Sequence, residues 1–150
     1  MRRATAAQAT AHRLVHCVLD GDAAGLSTAL GTVVDQGDEQ LRPYVRAVVA
    51  ELIQVASTAV RDTAGRTGGE ITFAVDLRDD DDTRVSIDEL APPARATVRA
   101  LLADLNGSPA DAAFQLDLAV IGLDPLTGID TVRRALTMTV ALLQWTGDET

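Results

Sequence analysis

Residues 70–77, Glu70-Ile71-Thr72-Phe73-Ala74-Val75-Asp76-Leu77, alternate strictly between polar or small side chains and large apolar ones. Arg78 and four consecutive aspartates, Asp79, Asp80, Asp81 and Asp82, follow, and the alternation resumes at Arg84-Val85-Ser86-Ile87. A period of two on both sides of a polar turn is the pattern of a β-hairpin, whereas the chain before and after it reads as helix. A lone hairpin is marginal in water. Its apolar face must therefore rest on the helices, or its edge must pair with another strand. The pattern predicts a hairpin over residues 70–87, with Ile71, Phe73, Val75, Leu77, Val85 and Ile87 against apolar neighbours. With Phe73 fully buried, Phe73→Ala would cost about 3–5 kcal/mol.

The flanking segments carry helical spacing. Leu41, Val45, Val48, Leu52, Val55 and Ala59 recur at alternating steps of four and three, widened by Val49, Ile53, Ala56 and Val60. So broad an apolar arc belongs in the centre of a core. Asp38 and Glu39 suit the start of this third helix, Pro43 is tolerated near it, and Gly65 suits its end. Before it, helices are predicted over 4–19 and, capped by Asp22, up to Val34, the second weakened by Gly25 and Gly31. After the hairpin, a fourth helix enters through residues 88–93 and ends at Asn106-Gly107. Ser108-Pro109-Ala110-Asp111 is a strong start for a fifth, running to about Gly122 with Phe114, Leu116, Leu118, Val120 and Ile121 available for burial. Asp124-Pro125 reads as a turn, and a sixth helix starts near Asp130, with Val132, Leu136, Val140 and Leu143 on one face and Trp145 at its end. The expected fold is mainly α: about six helices in two three-helix groups with one inserted hairpin. A faint internal repeat relates residues 4–65 to 88–146.

Composition narrows the class. A chain of 150 residues, 47% hydrophobic and 23% charged, is expected to form one globular domain. Two Phe, one Tyr and one Trp leave the core to Ala, Val and Leu, which lets helices approach closely. The net charge of −9 argues against a nucleic-acid partner, because phosphate binding relies on clustered cations. All 13 basic residues are Arg, which fits the codon bias of a high-GC bacterial genome. Cys17 is the single cysteine, so no internal disulfide forms. Met1-Arg2-Arg3 is not followed by a continuous apolar signal region, and no apolar run reaches the roughly 18 residues of a membrane span. A cytoplasmic protein without membrane contact is expected.

The candidate chemistry is sparse. His12 and His16 share a helix face and are spaced for metal chelation, but Cys17 lies about 100° round the helix and there is no third histidine. The aspartates at 79–82 fail the calcium-loop pattern: counted from Asp79 the sixth and twelfth residues are Arg84 and Leu90, and from Asp80 they are Val85 and Ala91. No serine lies in a nucleophile elbow, and Gly65-Arg66-Thr67-Gly68-Gly69 lacks the phosphate-loop lysine. No metal or cofactor is expected. Arg95, Arg99, Arg133 and Arg134, with Asp79, Asp80, Asp81 and Asp82, form the candidate interaction surface. The sequence points to a non-catalytic scaffold or regulatory protein of a high-GC bacterium, a homodimer with an unidentified protein partner. The alternative is a ligand-binding or enzymatic pocket near His12 and His16.

Overall fold

The computed structural model describes residues 5–65, 73–79 and 81–148. Short polar side chains set several of its helix starts. Thr5 caps α1 (Ala6–Asp20) by accepting the Gln8 N–H at 3.0 Å, and Asp22 caps α2 (Ala23–Val34) by accepting the Gly25 N–H at 2.9 Å. Between them Gly21 takes the left-handed conformation, φ +70°, which only glycine adopts at little cost. Among the described residues α3 (Asp38–Gly65), α4 (Pro92–Leu105), α5 (Pro109–Ala119) and α6 (Pro125–Asp148) complete six helices.

Two boundaries differ from the sequence reading. Ser108 makes no side-chain cap bond at α5, which stops at Ala119. The sixth helix starts at Pro125, five residues before the expected Asp130. Asp124 and Thr127 explain the shift: the Asp124 carboxylate accepts the Thr127 N–H at 2.9 Å, and the Asp124 N–H reaches the Thr127 hydroxyl at 2.9 Å. This is a reciprocal cap with Pro at the first helical position. The Thr127 N–H is the chief reason the Asp124 carboxyl titrates below the usual carboxylate range; the Thr127 hydroxyl and the Leu126 N–H add to it, and slight desolvation opposes them. A depressed folded-state pKa contributes stability above the unfolded value and loses it as pH falls through the folded one. Asp124→Asn should therefore flatten the acid limb of a stability-against-pH profile measured by urea denaturation, and an unchanged limb would refute this role.

The third helix is the axis of the molecule. It packs against each of the other five helices, and Leu41, Val45, Val48, Val49, Leu52, Ile53, Ala56 and Val60 are buried along it. One copy of the chain covers this helix, so its wide apolar arc does not call for a second. The other long helix, α6, packs against α1, α2, α3 and α4. The two three-helix groups are therefore interlocked, each long helix reaching into the other group. Their lengths run 15, 12 and 28 residues in the first and 14, 11 and 24 in the second.

Polar ties fix these packings. The hydroxyl of buried Thr139 lies 2.8 Å from the Ala135 carbonyl and 3.1 Å from that of Leu52, joining α6 to α3. Arg46 of α3 donates to Asp117 at 2.6 Å and to the Ala113 carbonyl at 3.1 Å, and Arg61 bonds to Asp104 at the end of α4. Arg61 and Arg46 thus anchor the end of α4 and the middle of α5 to α3.

The hairpin is present, but its ladder is short. Strands β1 (Leu77–Arg78) and β2 (Arg84–Val85) pair antiparallel, Leu77 opposite Val85 and Arg78 opposite Arg84. The period of two extends further in burial: Phe73, Val75 and Leu77 are half-buried, and Ala74, Asp76 and Arg78 are exposed. Ile71 lies outside the described residues. The Asn106 side chain takes the place of a neighbouring strand, accepting the Phe73 N–H at 2.8 Å and donating to the Phe73 carbonyl at 3.1 Å. Ile87 ends up half-buried in one turn of 3-10 helix (Ile87–Glu89), which Ser86 and Glu89 cap reciprocally. Because Phe73 is only half-buried, its loss costs less than full burial implies. Phe73→Ala should lower stability by about 1–2 kcal/mol, read from the shift in urea midpoint; no shift would show that the ring is not packed.

Candidate functional site

The hairpin lies against a trough between α4 and α6. Leu77 and Arg78 of β1, Leu90, Ala94 and Val98 at and before α4, and Arg133, Arg134, Thr137, Met138 and Ala141 of α6 enclose a groove of about 690 Å³. Its floor is apolar and its rim carries three guanidinium groups and the Asp130 carboxylate. A second hollow of about 500 Å³ shares Leu77, Met138 and Ala141 with it and is lined further by Phe73, Leu101, Leu102, Leu105, Leu142 and Trp145. The two adjoin at these three shared side chains, the first bearing Arg78, Arg133, Arg134 and Asp130 and the second Trp145.

Local pairing sets the charge at the rim. Arg134 bonds to Asp130 one turn earlier at 2.8 Å, and Arg78 lies 3.2 Å from Asp76 and 3.9 Å from Asp82. Arg133 is exposed and makes no ion pair among the described residues. Of the four arginines read from the sequence as one patch, Arg133 and Arg134 line the groove, while Arg99 and Arg95 do not. Arg99 is held by Asp88 at 2.8 Å, and Arg95 is half-buried on α4.

The aspartate turn is knitted internally. The Asp79 carboxylate accepts the N–H groups of Asp81 and Thr83 at 3.0 and 2.9 Å. The Asp82 carbonyl accepts from Arg78 at 3.0 Å, and Asp82 adopts a left-handed φ of +62°, which a short polar side chain tolerates. Asp81 is exposed, and Asp80 lies outside the described residues. Arg78 thereby joins turn and groove. Its part in the site was missed, as was that of Met138, Leu142 and Trp145, whose spacing of four and three on α6 was the available signal.

His12 and His16 are both exposed on α1. His12 lines a shallow cleft of about 430 Å³ with Gln8 and, from α3, Glu51, Gln54, Thr58 and Asp62; His16 is not part of that lining. Among the described residues no group of three or more His, Cys, Asp or Glu side chains is placed to hold a metal ion. Cys17 is buried. No helix among them is long and apolar enough to cross a membrane. The chain matches no protein-family model, no curated protein and no solved structure.

Proposed function

We propose that this chain is a non-catalytic scaffold or regulatory protein that receives an acidic, apolar segment of a protein partner in the adjoining groove and hollow between the hairpin, α4 and α6. The observation that carries the reading is a set of three arginines over an apolar floor, on a chain whose net charge is −9. Guanidinium groups bind carboxylates in a fixed fork, and Arg and Trp are the side chains on which binding energy concentrates. Two of the three arginines are already matched locally, Arg134 by Asp130 and Arg78 by Asp76 and Asp82, so Arg133, which makes no ion pair among the described residues, is the guanidinium open to an incoming carboxylate. From Arg134 to Trp145 the groove and hollow follow α6 for about 16 Å, the length of three helical turns. A buried lone cysteine suits a reducing cytoplasm, and the Arg-only basic set suits a high-GC bacterium.

Trp145 is the single tryptophan and lines the second hollow, so its fluorescence reports occupancy. A synthetic peptide of about three helical turns, Leu on one face and Glu on the other, should give a saturable blue shift. Arg133→Glu with Arg134→Glu should weaken that binding at least tenfold, and a peptide with Lys in place of Glu should give no shift. No saturable shift, or equal binding of the Lys peptide, would overturn the reading. The alternative site at His12 and His16 has less support, because the cleft gathers His12, Glu51 and Asp62 but leaves His16 outside.

A further inference from the structure

Asn106 is the single asparagine of the chain, and Gly107 follows it. Asparagine before glycine is the pair most open to deamidation. The next backbone nitrogen attacks the side-chain carbonyl, and glycine has no side chain to hinder the approach. Both residues are exposed, so water reaches the bond. The same asparagine holds the hairpin. Its amide accepts the Phe73 N–H at 2.8 Å and donates to the Phe73 carbonyl at 3.1 Å. Among the described residues these are the only hydrogen bonds that tie residues 73–77 to the helices. Residues 73–77 in turn wall one side of the hollow that contains Trp145.

We propose that Asn106–Gly107 is a modification site at which the chain deamidates itself and so unlatches the hairpin. The Gly107 nitrogen bonds to the Asn106 Cγ, the Cγ–Nδ2 bond breaks, and ammonia leaves. Water then opens the cyclic imide at either carbonyl, giving aspartate or isoaspartate. One water is consumed for each ammonia released, and nothing is oxidised or reduced. The closed structure holds this reaction back. The Asn106 ψ is +11°, and ring closure requires the Gly107 nitrogen to rotate out of that placement toward the side chain. The Gly107 N–H is also engaged by the Asp104 carbonyl at 3.2 Å, and the amide is engaged by Phe73. The reaction therefore runs from the open form, in which Phe73 has been released. Two neutral hydrogen bonds bias that local opening by roughly tenfold or more. The product does not restore the latch. A carboxylate only accepts hydrogen bonds, so the Phe73 carbonyl loses its donor and faces a negative charge. Isoaspartate also lengthens the main chain by one carbon at the end of α4.

The test keeps the full chain at mildly alkaline pH, folded and, in parallel, in guanidinium chloride. Tryptic fragment 100–133 holds the single asparagine, and its mass is followed with time, fragmentation assigning the change to residue 106. The gain of an amide-to-acid exchange should appear in the folded chain, roughly tenfold or more slowly than in denaturant. The aged folded protein and Asn106→Asp should both move the Trp145 emission to the red and speed hydrogen exchange at the Phe73 N–H, with the helical circular dichroism unchanged. No peptide enters the measurement, so its outcome is independent of the binding reading. No conversion in the folded chain while the denatured one converts fully would overturn the proposal. So would equal rates in the two, or a converted protein with the Trp145 emission and Phe73 exchange of the unmodified one.

Discussion

Leu52→Ala should lower the free energy of unfolding by about 2–5 kcal/mol, in the upper half of that range. Leu52 is fully buried and sits midway along the helix that touches all the others. Deleting its branched end removes apolar contacts and leaves a cavity whose cost depends on how far the walls can move in. Here they are stiff. The surrounding helices are held by the Thr139 tie to the Leu52 carbonyl and by the arginine bonds from α3 to α4 and α5. The core cluster is mostly Ala, Val and Leu, with little of the flexible methionine that fills gaps. Stabilities of 5–15 kcal/mol are usual for a domain, so this one change removes a large share. Urea denaturation should show a lower midpoint with an unchanged slope; a loss under 1 kcal/mol would mean that α3 is not the axis of the core. Val55→Ala, three residues along but only half-buried, should cost much less.

Which parts of this molecule were legible in the sequence follows from how far each signal reaches. The arc from Leu41 to Val60, the Asp22 cap and the hairpin alternation are local periodicities, and the structure keeps them. Asp124-Pro125 was misread because the same dipeptide opens turns and helices; Thr127, returning the hydrogen bond, decides for the helix. On α5 the apolar residues exceed what one face needs, and only packing assigns the inner side to Ala112, Leu116 and Ala119 and the outer side to Phe114 and Leu118. The groove shows the same division. Arg133 and Arg134 were visible as neighbours, but Arg78 joins them across more than fifty residues of chain. Arg99 was lost to the patch because Asp88, reached through a short turn, takes it first.

Ser57→Ala should stabilise the protein by about 1–2 kcal/mol, against the usual direction of core substitutions. Ser57 lies on α3, fully buried, and its hydroxyl oxygen makes no hydrogen bond among the described residues. An unsatisfied buried polar group carries a desolvation penalty of about 1–3 kcal/mol, and alanine is the better helix former by up to about 0.5 kcal/mol. The opposing cost is small, because only an oxygen-sized gap is left. Valine would remove the hydroxyl too, but its extra carbons would crowd a packed wall and its branched side chain is less at home in a helix. Thr139 provides the contrast. It is equally buried, yet its hydroxyl is satisfied by the Ala135 and Leu52 carbonyls, so Thr139→Val should destabilise by about 1 kcal/mol. The pair is compared by urea midpoints at constant slope. A loss of stability in Ser57→Ala would show that the hydroxyl has turned back to the carbonyl four residues earlier, the usual bond of a serine inside a helix.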